Sequence, residues 1–175
     1  ATSNGISKFD GSNFINYSKN LGLPAKLVTA IHVDRKNSDV VWTGSEKSGL
    51  TRFDKDGFFN FATQDGLPSN SIRDITQSKN GDLIIACYNA GVVAYNGKSF
   101  KLFNKGLADK RVILVTNGPE GSIWAGTESA GIGILKDNEF EMVIDSDGLG
   151  HNEIFSLYND GKRMWAGTFG GGVSC

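Results

Sequence analysis

The chain has 175 residues, 18 basic against 19 acidic, with a net charge of −1 and a sequence pI near 6.1. That length suits one domain with a sizeable core. The near balance of charge argues against a nucleic-acid partner, which needs a basic face to displace phosphate counterions. No run approaches the roughly 20 apolar residues of a membrane-spanning helix, so direct membrane contact is not expected of this segment.

Glycine is abundant at 23 residues and proline scarce at 3. Glycines spaced by short apolar runs predict tight turns between short strands rather than disorder. The chain opens ATSNG, with neither an initiator Met nor a signal-peptide pattern, and reads as a piece of a longer polypeptide. Of the two cysteines, Cys87 lies in the apolar run LIIAC, where a buried free thiol is expected. Cys87 and Cys175 do not make a disulfide framework, and their redox state stays open.

Taken in chain order, a first strand begins at Gly5-Ile6 and meets a turn at Asp10-Gly11, and a second carries Phe14 and Tyr17. From there one unit recurs. Its anchors are Gly22-Leu23, Gly66-Leu67, Gly106-Leu107 and Gly148-Leu149, at steps of 44, 40 and 42 residues. Self-similarity at such a period is the mark of a repeat architecture. After each anchor, apolar residues sit five and eight positions on: Val28 and Ile31, Ile72 and Ile75, Val112 and Val115, Ile154 and Leu157. Each segment soon meets a turn signal: Lys36-Asn37-Ser38, Asn80-Gly81, Glu120-Gly121 or Asp160-Gly161. Asn-Gly and Asp-Gly supply the positive φ of tight hairpins, so a strand is a better reading than a helix.

The next strand of each unit is VVWTG, LIIAC, SIWAG or RMWAG. Trp42, Trp124 and Trp165 hold one position, assigned to Ile85 in the second unit. These four residues are expected in the core between units. The strands are apolar on both faces, as when one sheet packs on the next. A third strand starts at Gly49, Gly91, Gly131 or Gly172. A fourth bears an aromatic signature: Phe58 and Phe61, Phe100 and Phe103, Phe140 with Val143.

The predicted fold class is therefore all-β, a β-propeller of four-stranded antiparallel blades. The chain holds about four blade-lengths in one domain or propeller fragment over residues 1–175, with split blades at its two ends. Gly5-Ile6 is in phase with Gly172-Val173. Three arrangements fit that register: a four-blade ring closed on itself, an eight-blade ring as a homodimer, or a part of a larger ring.

The stretches GLPSNSIRDITQSKNGDLIIACYNAGVVAYNGKSF, GSIWAGTESAGIGIL and RMWAGTFGGGV resemble the regulator-propeller repeat found in the sensor regions of bacterial hybrid two-component histidine kinases. The resemblance covers nearly the whole chain. The second unit departs from it where IIACYNAG replaces the Trp-Gly-Thr core, and the first where Lys26 replaces the usual Asn. The resemblance implies a non-enzymatic, periplasmic or extracytoplasmic sensor of signal transduction. It implies propellers that precede a β-sandwich domain, a membrane helix and a kinase, and a partner that is a glycan or another small ligand. A streptogramin-lyase-like propeller enzyme with a catalytic His, or a protein-interaction scaffold, are the alternatives.

No cofactor motif is visible. His32 and His151 are the only histidines and have no Cys or carboxylate at ligand spacing, so no metal is expected. Asp54-Lys55-Asp56-Gly57 and Asp145-Ser146-Asp147-Gly148 read as hairpin turns rather than calcium loops: the twelfth position of the second, next to Phe155, is Ser156 and not an acid. Gly170-Gly171-Gly172 lacks the Lys-Ser/Thr of a phosphate cradle. No catalytic residue is assigned. The loops entering each first strand differ most, and variable polar loops on one face are where a ligand is read. The candidate contact set is Lys26, Asn70, Lys110, Arg111, His151 and Asn152. Asn70 and Asn152 fit a turn-capping role equally well.

Overall fold

The computed structural model describes residues 1–25 and 27–175. A hairpin of β1 (Ile6–Phe9) and β2 (Phe14–Tyr17) comes first. The first complete sheet is β3 (Val28–Val33), β4 (Val41–Ser45), β5 (Leu50–Asp54) and β6 (Gly57–Phe61). The second is β7 (Ile72–Gln77), β8 (Leu83–Cys87), β9 (Gly91–Tyr95) and β10 (Phe100–Phe103). The third is β11 (Val112–Asn117), β12 (Ile123–Thr127), β13 (Ile132–Lys136) and β14 (Glu139–Val143). The fourth has three strands, β15 (Ile154–Asn159), β16 (Met164–Thr168) and β17 (Gly172–Ser174). Every sheet is antiparallel with neighbours in chain order, and the inner strands β3, β7, β11 and β15 pack side by side. The fold is all-β and propeller-like, and the arc is open. The hairpin and the fourth sheet remain separate sheets, and the sheets do not close into a ring.

Turn chemistry sets these elements. Asn80-Gly81, Asp160-Gly161 and Asn96-Gly97 place glycine at φ +97°, +90° and +88°, and Asp137-Asn138 adopts +49° and +69°, all in the left-handed region that favours Gly and Asn. The loop at Asp145–Asp147 differs from its sequence reading. It is a 3₁₀ turn, not a hairpin, and leads from the outer strand of one sheet to the inner strand of the next. The Asp147 carboxylate accepts the Ile144 N–H at 3.0 Å, which fixes the turn. Thr63–Asp65 repeats it two units earlier.

The core lies between sheets. Leu23, Val28 and Ile6 join the hairpin to the first sheet. Trp42, Leu50, Ile72, Ile85 and Val93 join the first to the second; Ile84, Val112, Val115 and Phe140 the second to the third; Ile132, Leu149, Ile154 and Ala166 the third to the fourth. Fully burying one such side chain is worth about 1.5–3 kcal/mol, so stacking is what makes each small sheet stable.

The three indoles behave according to what lies beyond them. Trp42 is buried, 5.9 Å from the Tyr95 ring of the second sheet. Trp124 is half-buried and packs on the cluster shared with the fourth sheet. Trp165 has no following sheet. Its Nε1 donates to Asp160 at 2.8 Å and Arg163 stacks on it at 4.8 Å. The tryptophan position of the second sheet belongs to Ile84, a correction to the Ile85 assignment. Cα pairing sets Trp42 opposite His32, Trp124 opposite Thr116, Trp165 opposite Tyr158, and Ile84 opposite Thr76. The slip arises because Ala86 takes the place of the strand's glycine and Cys87 that of its closing Ser or Thr. Ile85 is nonetheless fully buried.

Candidate functional site

In an up-and-down sheet the start of the inner strand and the end of its neighbour meet on one face. Here that face gathers the loops entering β3, β7, β11 and β15 and the loops leaving β4, β8, β12 and β16. Backbone bonds couple the two loop sets: Tyr88 N–H donates to the Ser71 carbonyl at 2.9 Å, Glu128 to Arg111 at 3.0 Å and Phe169 to Glu153 at 3.0 Å. Five of the six residues named from sequence lie on this face, and Lys26 lies outside the described residues.

Those five do different jobs. Asn70 Oδ1 accepts the Thr63 N–H at 2.9 Å, and Asn152 Oδ1 accepts the Asp145 N–H at 2.9 Å. Their carbonyls accept from Gly49 and Gly131 of the preceding sheet at 2.9 and 2.7 Å. Both asparagines therefore pin the turn and the joint between sheets. Lys110 is exposed. Arg111 is tied to Glu128 at 2.7 Å and to Asp109 at 2.9 Å, and it donates to Ser129 at 2.8 Å. Burial pushes the Asp109 carboxyl up, but hydrogen bonds from Arg111 and Ser129 outweigh it and hold the group below its ordinary value. His151 is exposed, its Nδ1 accepts the Glu153 N–H at 3.1 Å, and its ring lies 6.4 Å from Phe169.

The structure adds positions that sequence reasoning missed. Each inner strand carries a bulge just after its first residue, between Val28 and Ala30, Ile72 and Asp74, Val112 and Leu114, and Ile154 and Ser156. The bulged residues are Thr29, Arg73, Ile113 and Phe155, and a bulge re-aims its side chain. Opposite them, the first residue of the loop leaving the neighbouring strand is Glu46, Tyr88, Glu128 or Phe169. In the second sheet Arg73 stacks on Tyr88, 4.6 Å from guanidinium carbon to ring centroid. In the fourth, Phe155 and Phe169 pack at 5.8 Å and are both well exposed. The signal available in sequence was the contrast between an unvarying apolar residue and the changing one directly after it.

Among the described residues no group of three or more His, Cys, Asp or Glu converges as a metal centre would need, and no helix is long and apolar enough to cross a membrane. A groove of about 580 Å³ lies between the β1–β2 hairpin and the first sheet, lined by Tyr17, Ile31, Val33 and Phe53 among others.

No protein-family model matches the chain, and no curated protein matches its sequence. Solved structures do match. The extracellular domain of a hybrid two-component system from B. thetaiotaomicron aligns at a TM-score of 0.83 and 22% identity, over 96% of this chain and 25% of that one. The chain shares the fold of that domain. The extracellular domain of a one-component system from the same organism aligns at 0.78 and 18% identity, over 99% of this chain and 25% of that one. A streptogramin B lyase aligns at 0.69 and 17% identity, over 98% of this chain and 61% of that one. The chain thus spans a quarter of the length of the two extracellular domains it resembles.

Proposed function

We propose that this chain is a sensory segment of an extracytoplasmic, propeller-type receptor, non-enzymatic in itself, and that it meets a small ligand on the bulge-and-loop face. The observation that carries this reading is the four rim pairs: one backbone frame presents Thr29 with Glu46, Arg73 with Tyr88, Ile113 with Glu128, and Phe155 with Phe169. A fixed scaffold bearing chemically different side chains at equivalent rim positions suits recognition. Likeness to extracellular domains of bacterial signalling systems supports the extracytoplasmic role. The exposed Phe155–Phe169 platform, with Lys110 and His151 on the same face, suits a ligand with an apolar ring face and hydroxyl groups, such as an oligosaccharide.

The lyase alternative asks for a histidine oriented by an acid. His151 spends its Nδ1 on a backbone N–H and sits beside a phenyl ring, which favours the non-catalytic reading. The test has two arms. Alkaline phosphatase fused to this segment of the full-length protein should be active, as it is only outside the cytoplasm; an inactive fusion in a stably expressed protein overturns the location. A neutral and acidic oligosaccharide panel should raise the melting temperature of the wild-type chain, and the shift should vanish in Phe155→Ser/Phe169→Ser. Retention of the shift in that variant overturns the assignment of the face.

A further inference from the structure

The bulge residue of the second inner strand, Arg73, carries a cation that its surroundings engage only by stacking and by one long ion pair. Its guanidinium lies over the Tyr88 ring at 4.6 Å. Its nearest carboxylate, Glu46, stands 4.0 Å away, outside hydrogen-bond range. Its Nε is enclosed with no acceptor, and its guanidinium makes no hydrogen bond among the described residues. The side chain is still one-third exposed, at 33%. A structural arginine ordinarily spends its five donors on neighbours. Arg111, one sheet on, does so, with Asp109, Glu128 and Ser129 all engaged.

The ring beneath Arg73 is held in place. Tyr88 donates its hydroxyl to Glu128 Oε2 at 2.8 Å, and the same oxygen accepts from Arg111 at 2.7 Å. Thus Glu128 and Arg111, from the third sheet, fix a plate that belongs to the second. The plate flattens and orients a guanidinium on the bulge, and stacking leaves the donors in the guanidinium plane free to point past the ring. A planar cation, pre-oriented and short of acceptors, matches the two oxygens of a carboxylate, sulfate or phosphate group.

We propose that Arg73, stacked on Tyr88, is an oxyanion-recognition point on the rim, and that the ligand of this face is acidic rather than neutral. Tyr88 and Glu128 are positioning residues. The inference rests on the reading that this face meets the ligand, and it names that ligand's charge.

The test is an NMR titration of the chain in low-salt buffer, following the Arg73 Nε–H resonance, with four probes: sodium sulfate, inorganic phosphate, trigalacturonate and the neutral galactotriose. At least one anion should shift the resonance saturably, and galactotriose should not. If only the inorganic ions act, the oxyanion source is a sulfate or phosphate group; if trigalacturonate acts more strongly, it is a carboxylate on a sugar. Binding of the effective probe, read by calorimetry, should disappear in Arg73→Gln and weaken about tenfold or more in Arg73→Lys, which keeps the charge but loses the planar fork. Tyr88→Phe keeps the ring but releases it from Glu128, and affinity should fall several-fold with an unchanged circular-dichroism melt. Arg163→Gln should change nothing: Arg163 is likewise stacked on an indole, but on the opposite face and with Asp160 3.4 Å away. Failure of every anion to shift the resonance, or equal binding by Arg73→Gln, overturns the inference. Saturable binding of galactotriose alone also overturns it, while leaving the ligand-face reading intact.

Discussion

Asp74, on the second inner strand, reaches across to Val115 on the third, accepting its backbone N–H at Oδ2 over 2.9 Å. The other oxygen accepts the Ile75 N–H at 2.8 Å. One carboxylate thereby satisfies an N–H of its own strand and one of the neighbouring sheet. Asp74→Ala leaves both without a partner in a half-buried setting. The expected loss is about 1–3 kcal/mol, read from urea unfolding.

The same residue gives a pH dependence with a definite sign. Burial pushes the Asp74 carboxyl up, and the hydrogen bonds from Val115 and Ile75 only partly offset it. A folded-state pKa above the ordinary 3.8 means the folded chain holds this proton more tightly than the unfolded one. The charge therefore costs stability above the folded pKa, and that cost is relieved as pH falls toward 3.8. Unfolding free energies of wild type and Asp74→Asn, measured across this window, should show wild type gaining on the variant as pH drops. A difference flat with pH would refute it.

A second set of bonds links the far ends of the inner strands. Gln77 Nε2 donates to Asp34 at 3.0 Å and Gly81 at 2.8 Å, while its Oε1 accepts the Arg35 N–H at 2.8 Å. Asn117 donates to the Gln77 carbonyl at 3.0 Å, and Asn159 to the Asn117 carbonyl at 3.0 Å. Three amides at one repeat position each reach back to the preceding sheet. Gln77→Ala, which removes these three bonds and a 3.4 Å contact with His32 from a buried site, should cost about 2–4 kcal/mol. Asn159→Ala, which removes the bond to Asn117 and one from the Gly161 N–H of its own turn at a half-buried site, should cost less, about 0.5–1.5 kcal/mol. Equal losses would contradict the assignment of these bonds.

The thiols should differ sharply. Cys87 is fully buried, and burial pushes its pKa up to about 12, whereas Cys175 is exposed. A thiolate is the reacting species. Ellman's reagent at neutral pH should therefore titrate one thiol in the native chain and two in denaturant. Prompt reaction of both in the native chain would disprove the burial.

Gly44 sits where the second sheet leans on the first. A Cβ there would run into the Ile72 side chain and come within 3.2 Å of the Ala30 Cβ. Ile72 is fully buried and cannot swing aside. Gly44→Ala should therefore destabilise the chain by about 1–3 kcal/mol by overpacking, seen as a lower melting temperature.

The strands and their order were legible because apolar runs and Gly-containing turns alternate at short range, and both signals are local. The joints were not. Gln77 and Asp34, or Asn117 and Gln77, are 40 or more residues apart, and nothing near either announces its partner. The slip from Ile84 to Ile85 has a similar cause: register depends on cross-strand pairing, and the two strands read alike in isolation. Arg73 escaped notice because its place on the rim is made by a bulge, which a count of alternating residues passes over. Asn70 and Asn152 were visible as a repeat position, and the structure shows both tying turn to joint.

The open arc has a mechanical corollary. Each sheet leans only on the ones beside it, so the second and third are braced from both sides while the β1–β2 hairpin and the fourth sheet are braced from one. Amide protons should therefore exchange slowest in β8 and β12 and progressively faster outward, and the molecule should fray from its two flanks like an unbound book losing its outermost leaves.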